Sequence, residues 1–399
     1  MLNIVVQKYG GSSVADAEKI KNVALKISEK VTKGYKVIIV VSAMGKSTDE
    51  LIYLAKQISS TPDPRELDML LSTGEQVSVS LLSMALMEIG LKSKSLNAFQ
   101  AGIKTTDAHN EAKILSFDSD KLLQLLEGLD SLVITGFQGV TESGEMTTLG
   151  RGGSDTSAVA LAAALKIDCE IYSDVAGIYS IDPRLYPAAK KRKFIAYDEM
   201  LEMASLGAKV LHSRSVEIAK KFDIKIYCGS SFINEEGSYV VNENIIIEEP
   251  VVTGCSIVEN ETQVFIKNLP VDYRLVKSIF EKTAAEGLNV DMISIINTDS
   301  NLVVSFTIIE SKREQMEITL NKVFEGLDTH EIEFHTGYLK LSVVGIGMRS
   351  GIGVASSFFR ALEDIPIKLV TTSEIKISCL IEAQYKMQAV DSIVKEFNL

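Results

Sequence analysis

The segment Ile4-Val5-Val6-Gln7-Lys8-Tyr9-Gly10-Gly11-Ser12-Ser13 decides how the first half of the chain is read. Ile4, Val5 and Val6 form a short apolar strand that stops at a glycine pair, and residues 16–29 then take up helical periodicity. A second apolar strand, 36–41, runs into Ser42-Ala43-Met44-Gly45. Strand, glycine turn, helix and strand make one unit of a parallel sheet covered by helices, and the pattern recurs downstream. Helical stretches at 48–57, 64–71 and 75–89 precede a strand at 131–135, a loop at 136–153, a helix at 155–166 and a strand at 169–172. The expected fold class is α/β, an open and mostly parallel sheet sandwiched by helices. Ligands then sit off the carboxyl ends of the strands.

The alternation ends in a Gly/Ser/Asn/Glu-rich stretch, 229–249. Beyond it, the segments 264–266, 275–286, 290–296 and 303–309 read as strand, helix, strand, strand, and 341–344, 352–362, 367–370 and 375–381 repeat that order. Two such units point to two ferredoxin-like βαββαβ modules. The expected division is a catalytic domain over 1–230, a linker over 231–250, a first small module over 264–335, and a second built from 251–263 with 336–399. A chain of 399 residues accommodates this, since domains cluster near ~100–200 residues.

Composition bounds the function classes. Hydrophobic residues make up 46% and charged residues 24%, the profile of a folded globular chain rather than a disordered or fibrous one. The longest apolar runs, 37–41 and 158–165, fall far short of the ~18–20 residues of a membrane helix. The N-terminus lacks the basic-then-apolar order of a signal peptide, so a soluble cytoplasmic protein with no membrane partner is expected. Cys169, Cys228, Cys255 and Cys379 have no C-x-x-C spacing, which favours buried reduced thiols over a zinc or disulfide framework. The net charge of −12 disfavours nucleic acid as the main partner. It is unevenly spread: residues 1–230 hold 27 Lys+Arg against 28 Asp+Glu, residues 231–399 hold 14 against 25, and the acid excess belongs to the small modules.

Two glycine turns carry the chemistry. In Lys8-Tyr9-Gly10-Gly11-Ser12-Ser13, adjacent glycines let main-chain N–H groups approach a phosphate, the following helix adds its partial positive charge, and Lys8 can neutralise a transferring group. In Thr148-Leu149-Gly150-Arg151-Gly152-Gly153-Ser154-Asp155, Arg151 can hold a carboxylate in a bidentate fork, Ser154 is placed as a helix N-cap, and Asp155 opens the helix. Ser42 to Asp49 contains Gly45-Lys46-Ser47, but Val40 stands where a phosphate-binding Walker loop needs its first glycine, so that loop is rejected. What remains is a hydroxyl-rich strand end suited to a small polar substrate. Ser72-Thr73-Gly74-Glu75 offers a carboxylate at a helix start for a substrate ammonium. Ser173, Asp174, Tyr179 and Asp182-Pro183-Arg184 follow a strand and form a candidate nucleotide pocket, with Lys209 as a further cation.

Other features yield less. Lys190-Lys191-Arg192-Lys193 reads as a solvated loop. Gly345, Gly347 and Gly351 are mis-spaced for a dinucleotide fingerprint. His109, His212, His330 and His335 have no metal spacing and read as surface or packing residues, and no protein metal site is expected.

Taken in order along the whole chain, Lys8 to Ser13, Ser42 to Gly45, Thr73-Gly74-Glu75, Gly150 to Asp155, Asp182-Pro183-Arg184 and the paired C-terminal modules resemble the aspartokinases. That resemblance implies the amino-acid-kinase fold with two ACT domains, and phosphorylation of the side-chain carboxylate of L-aspartate to 4-phospho-L-aspartate from ATP with Mg²⁺. This is the first step towards lysine, threonine and methionine. It also implies that Lys8 and Asp155 are catalytic, with Lys8, Tyr9, Gly10, Gly11, Ser12, Ser173, Asp174, Tyr179, Arg184 and Lys209 around the nucleotide. Ser42, Thr48, Glu75, Arg151, Gly152, Gly153 and Ser154 take the aspartate. The ACT domains are expected to bind end-product effectors and, because their small sheets leave open edges, to pair in a homodimer.

The departures from the family concern regulation. Val271-Asp272-Tyr273-Arg274 replaces the usual Pro-Gly turn of the first module, and Ser294-Ile295-Ile296-Asn297 replaces a frequent effector-contacting glutamine, whereas Thr372-Ser373-Glu374-Ile375 matches the family. Lysine, threonine, both or diaminopimelate remain open as effector. A non-catalytic amino-acid sensor and a NAD-dependent dehydrogenase are the alternatives; Lys8, Arg151 and Asp155 weigh against the first, the mis-spaced glycines against the second.

Overall fold

The computed structural model describes residues 3–207, 210–246, 250–298, 301–325 and 330–399. The chain divides into two compact units, Met1–Ser180 with Lys190–Glu248 and Ile181–Ala189 with Glu249–Leu399.

The first unit is built on an eight-stranded sheet in the order Phe194–Ala196, Ser238–Val241, Ile226–Ser230, Cys169–Ser173, Ile4–Tyr9, Lys36–Val41, Ser131–Thr135, Ser93–Leu96. All neighbours are parallel except Ile226–Ser230 with Ser238–Val241. Ile4–Tyr9 lies between Lys36–Val41 and Cys169–Ser173, so the chain leaves it on one side and later returns on the other. A reversal of this kind opens a crevice at the carboxyl ends of the strands. The strands are apolar because both faces are covered. On one face Val37, Ile39 and Val133 pack with Val23 and Ile27 of the helix Ala17–Thr32 and with Leu82 and Leu86 of the helix Pro64–Glu88. Truncating either fully buried leucine costs about 2–5 kcal/mol.

Several local expectations change. The stretches read as 64–71 and 75–89 form one helix, Pro64–Glu88, capped by Asp63 with Pro64 in its first turn. Gly74 does not break it; a Cβ there would lie 3.0 Å from that of Ala43, so the glycine lets the helix approach the 42–45 loop. Glu75 is therefore a buried mid-helix residue rather than one at a helix start. This helix is long and apolar enough to cross a membrane by length and composition. It nevertheless buries Asp68, Glu75 and Ser78 together with Leu82, and serves as a core helix. The loop read as 136–153 contains a hairpin, Gln138–Val140 against Met146–Thr148, in a small sheet with Ile103–Thr105 and Ile114–Phe117. Strands of three or four residues are too short to display a period. The stretch read as a linker, 231–250, holds the strand Ser238–Val241, and the first unit runs on to Glu248.

The second unit has one six-stranded antiparallel sheet, ordered Asp291–Asn297, Leu302–Ile309, Gly254–Leu269, Glu331–Val344, Lys376–Glu382, Ile367–Thr372. Its two central strands, of 16 and 14 residues, each serve two modules. Val264 and Ile266 share a core with the helices Tyr273–Ala285 and Arg313–Val323. Cys255, Leu341 and Val343 share another with Val354–Ala361 and Lys386–Phe397. The register shifts on both sides of Glu261, where one module gives way to the next. Ile181 of the excursion Ile181–Ala189 belongs to the second of these cores, with Leu185, Tyr186 and Ala189 packed against it. All four cysteines are buried and unpaired, and burial pushes the thiols of Cys255 and Cys379 up to about 12.

Candidate active site

The crevice at the strand ends of the first unit collects most of the residues singled out in the sequence. Side chains alternate along Ile4–Tyr9, so Lys8 and Tyr9 face opposite ways. The Lys8 Nζ reaches Asp155 Oδ1 at 2.6 Å, with only 11% and 12% of the two side chains exposed. Tyr9 instead turns into the core, fully buried and stacked on Tyr172 with ring centroids 5.1 Å apart. Its contribution to the site is main-chain: the Tyr9 carbonyl accepts from Ser42 N–H at 3.2 Å.

Beyond Tyr9 the two loops lock together through their backbones. Gly10 N–H donates to the Tyr172 carbonyl at 3.2 Å and Gly45 N–H to the Gly11 carbonyl at 3.0 Å. A Cβ on Gly11 would lie 2.7 Å from the Ala43 carbonyl oxygen, so only glycine fits this approach. Ser12 stays exposed at the turn, while the Ser13 hydroxyl is buried against that of Ser231 at 2.8 Å.

Glu75 is 2% exposed and points at the same loop, Oε1 accepting from Ala43 N–H at 3.1 Å. Burial raises its carboxyl to about 7, with the Ala43 N–H and the nearby Gln138 amide pulling the other way. The Gln138 Nε2 donates instead to the Ser72 carbonyl at 3.0 Å, and Glu75 Oε2 has no hydrogen-bond partner among the described residues. A buried carboxylate with a free oxygen is a receptor for a cation. Ser42 and Thr48 stand half-buried on the same loop and the start of the helix Ser47–Ile58.

The opposite wall is the turn before the helix Gly153–Leu165. Gly150 and Gly152 have φ of 75° and 67°, the left-handed region that glycine tolerates at little cost. The helix begins at Gly153 with Gly152 as its N-cap, so Ser154 lies in the first turn rather than at the cap. Its hydroxyl packs against Gly136, where a Cβ would lie 2.7 Å from it. Arg151 is exposed and makes no ion pair among the described residues.

The nucleotide set is less compact. Ser173 lies at a strand end, its hydroxyl accepting from Val175 N–H at 3.2 Å and its carbonyl from Ser231 N–H at 2.8 Å. Asp174 is exposed and Tyr179 half-buried in a short ribbon with Lys191. Arg184 falls in the excursion grouped with the second unit, its guanidinium bonded to Asp182 at 2.7 Å. Lys209 lies outside the described residues. Among the described residues no three His, Cys, Asp or Glu side chains converge on a metal position.

Sequence reasoning overlooked Asp68, which is fully buried and accepts from His109 Nδ1 at 2.7 Å and from the Thr148 hydroxyl. Arg214 was likewise unmarked in the sequence, while His212, read there as a surface or packing residue, lays its ring over Gly152. Their partners lie from 41 to 102 positions away in the chain, beyond any local pattern.

What can this arrangement do? It offers a buried lysine–aspartate pair beside a glycine turn, a buried carboxylate receptive to a cation, and an exposed arginine that can grip an anion. An amino acid offers the last two their partners, and a phosphoanhydride the first.

The chain matches the model of the amino acid kinase family over residues 3–230 and that of an ACT domain over residues 341–397. It is 46% identical to an aspartokinase of Geobacillus stearothermophilus over 100% of this chain and 98% of the relative. It is 44% identical to aspartokinase 2 of Bacillus subtilis, again over 100% of this chain and 98% of the relative. Its fold is similar to the crystal structure of E. coli aspartokinase III in complex with aspartate and ADP, with a TM-score of 0.80 and 24% identity over 100% of both chains.

Proposed function

The chain belongs to the aspartokinases, within the amino acid kinase family, and from that premise we propose that it transfers the γ-phosphoryl group of ATP to the side-chain carboxylate of L-aspartate, giving 4-phospho-L-aspartate. The observation that supports this reading is the buried Lys8–Asp155 pair at the strand ends, with Glu75 bonded to the neighbouring 42–45 loop and Arg151 exposed four residues before Asp155, because each answers one charge of the reactants.

Glu75 takes the aspartate ammonium and Arg151 its α-carboxylate, with Ser42, Thr48, Gly152, Gly153 and Ser154 completing the pocket. The side-chain carboxylate is then directed at the γ-phosphorus in line with the leaving oxygen. It is already ionised at neutral pH, so no general base is required. Lys8 stabilises charge on the transferring group, and Asp155 holds the Lys8 ammonium in place at 2.6 Å. Gly10, Gly11 and Ser12 lie beneath the phosphates, and Ser173, Asp174 and Tyr179 line the nucleotide. Mg²⁺ enters as part of the substrate MgATP, held mainly by phosphate oxygens.

The ACT modules are the proposed site of an end-product effector, lysine or threonine among the candidates, and of homodimer contacts. The enzyme works in the cytoplasm at the head of lysine, threonine and methionine synthesis. A coupled ATP-turnover assay tests the reaction. Aspartate should be the preferred acceptor; equal or faster turnover with glutamate, N-acetylglutamate or UMP would move the chain to another activity of its family. Titrating each end-product amino acid into the same assay identifies the effector.

A further inference from the structure

The turn that presents Arg151 is held by side chains from other parts of the first unit. Arg214, in the first turn of the helix Ser213–Phe222, donates through Nη1 to the Leu149 carbonyl at 2.6 Å and through Nη2 to the Ala112 carbonyl at 3.0 Å. His212, the residue before that helix, lays its ring so close to Gly152 that a Cβ there would be 2.1 Å from it. The segment that Arg214 ties to the turn is itself bonded to it: Ala112 N–H donates to the Thr148 carbonyl at 2.9 Å, and the Asn110 carbonyl lies 2.9 Å from where a Gly150 Cβ would be. From below, Asp68 accepts from the Thr148 hydroxyl and from Asn110 N–H at 3.1 Å. Residues 148–150 and 152 are thus gripped on both sides, while the Arg151 side chain is left exposed.

We propose that Arg214 is a positioning residue: by bridging the Leu149 and Ala112 carbonyls it fixes the turn so that the Arg151 guanidinium meets the substrate carboxylate. A guanidinium suits this task because its planar fork serves two carbonyls from different segments at once, which a lysine ammonium does less well. The leverage is large, since a misplacement of about 1 Å at a binding group can cost on the order of 100-fold. The inference rests on the reading that Arg151 takes the carboxylate, so its test includes a readout independent of turnover.

In Arg214→Ala, the KM for aspartate should rise roughly 10- to 100-fold while the KM for MgATP stays within about threefold, because the glycine turn at Lys8 is bonded elsewhere. Amide hydrogen exchange over 149–153 should accelerate, with the helix Ala17–Thr32 unchanged. Added guanidinium ion should restore part of the aspartate affinity, and Arg214→Lys should fall between the two proteins, covering the case in which the alanine variant folds poorly. Equal rises in both KM values, or unchanged exchange over 149–153, would overturn the proposal. So would faster exchange with an unaltered aspartate KM. A wild-type enzyme that ignores aspartate would instead overturn the reading of the substrate, and faster exchange in Arg214→Ala would still register the clamp.

Discussion

The two glycine turns use the same ingredients, small residues feeding a helix and one basic side chain, yet they are held in different ways. At Lys8–Gly11 the turn is fixed by main-chain bonds to Tyr172 and Gly45, and the lysine is nine-tenths buried against Asp155. At Gly150–Gly153 the turn is gripped by Asp68, His212 and Arg214 from distant elements, and its arginine stands in solvent. The first continues a strand of the sheet; the second adds side-chain ties from distant elements to its own main-chain bonds with Phe137 and Ala112. The chemistry matches the construction. Phosphoryl transfer needs a fixed positive charge in a dry setting, whereas capture of a substrate carboxylate needs an exposed fork that can close on its partner.

If that division is right, losses at the two turns should fall in different kinetic parameters. Lys8→Ala should lower kcat about 10³-fold with the aspartate KM nearly unchanged, since it removes charge stabilisation from the transition state and leaves the substrate's grip alone. Steady-state kinetics decides it, and a fall confined to KM would erase the distinction. Arg151→Ala should do the reverse, raising the aspartate KM roughly 100-fold with kcat largely kept, because a charge-assisted fork to a carboxylate is worth about 2–3 kcal/mol.

Glu75 sharpens the comparison from the third wall. Its carboxyl, raised from 4.5 to about 7 by burial, must be ionised to hold the ammonium, so the aspartate KM should climb as pH falls through about 7. Stability runs the other way. Between 4.5 and about 7 the folded protein keeps a proton that the unfolded chain releases, so stability is lost as pH rises through that window and stays low above it. The cost above the window is about 3 kcal/mol. Glu75→Gln should therefore raise the melting temperature at pH 8 by a few degrees without substrate, flatten its pH dependence, and raise the aspartate KM about tenfold. A lower melting temperature at pH 8 would mean that the carboxylate is better solvated than its burial implies.

The sequence made the main-chain half of this site legible and left the side-chain half hidden. Gly10-Gly11 after an apolar strand, or Gly152-Gly153 before an alanine-rich helix, are local signals, as are the buried strands Lys36–Val41 and Ser131–Thr135. Arg214 and Asp68 gave none, and His212 read only as a surface or packing residue, because their partners are set by tertiary packing. Glycine misled twice. Gly74 looked like a helix start and instead permits close packing inside one long helix, and the Gly/Asn-rich stretch near 240 looked like a linker and instead holds the strand Ser238–Val241, paired on both sides. The Asp182-Pro183-Arg184 motif gave no sign that its segment, Ile181–Ala189, belongs to the second unit, where Ile181 enters a core and Arg184 stays exposed.

The most direct test removes the α-carboxylate from the substrate and the guanidinium from the protein in one cycle. Wild type and Arg151→Ala are each assayed with aspartate and with β-alanine, which keeps the ammonium and the reacting carboxylate. The account predicts that β-alanine costs the wild-type enzyme about 100-fold in kcat/KM and costs the variant almost nothing, because the two deletions remove the same contact. An equal penalty in both proteins would contradict it and place the carboxylate elsewhere in the crevice.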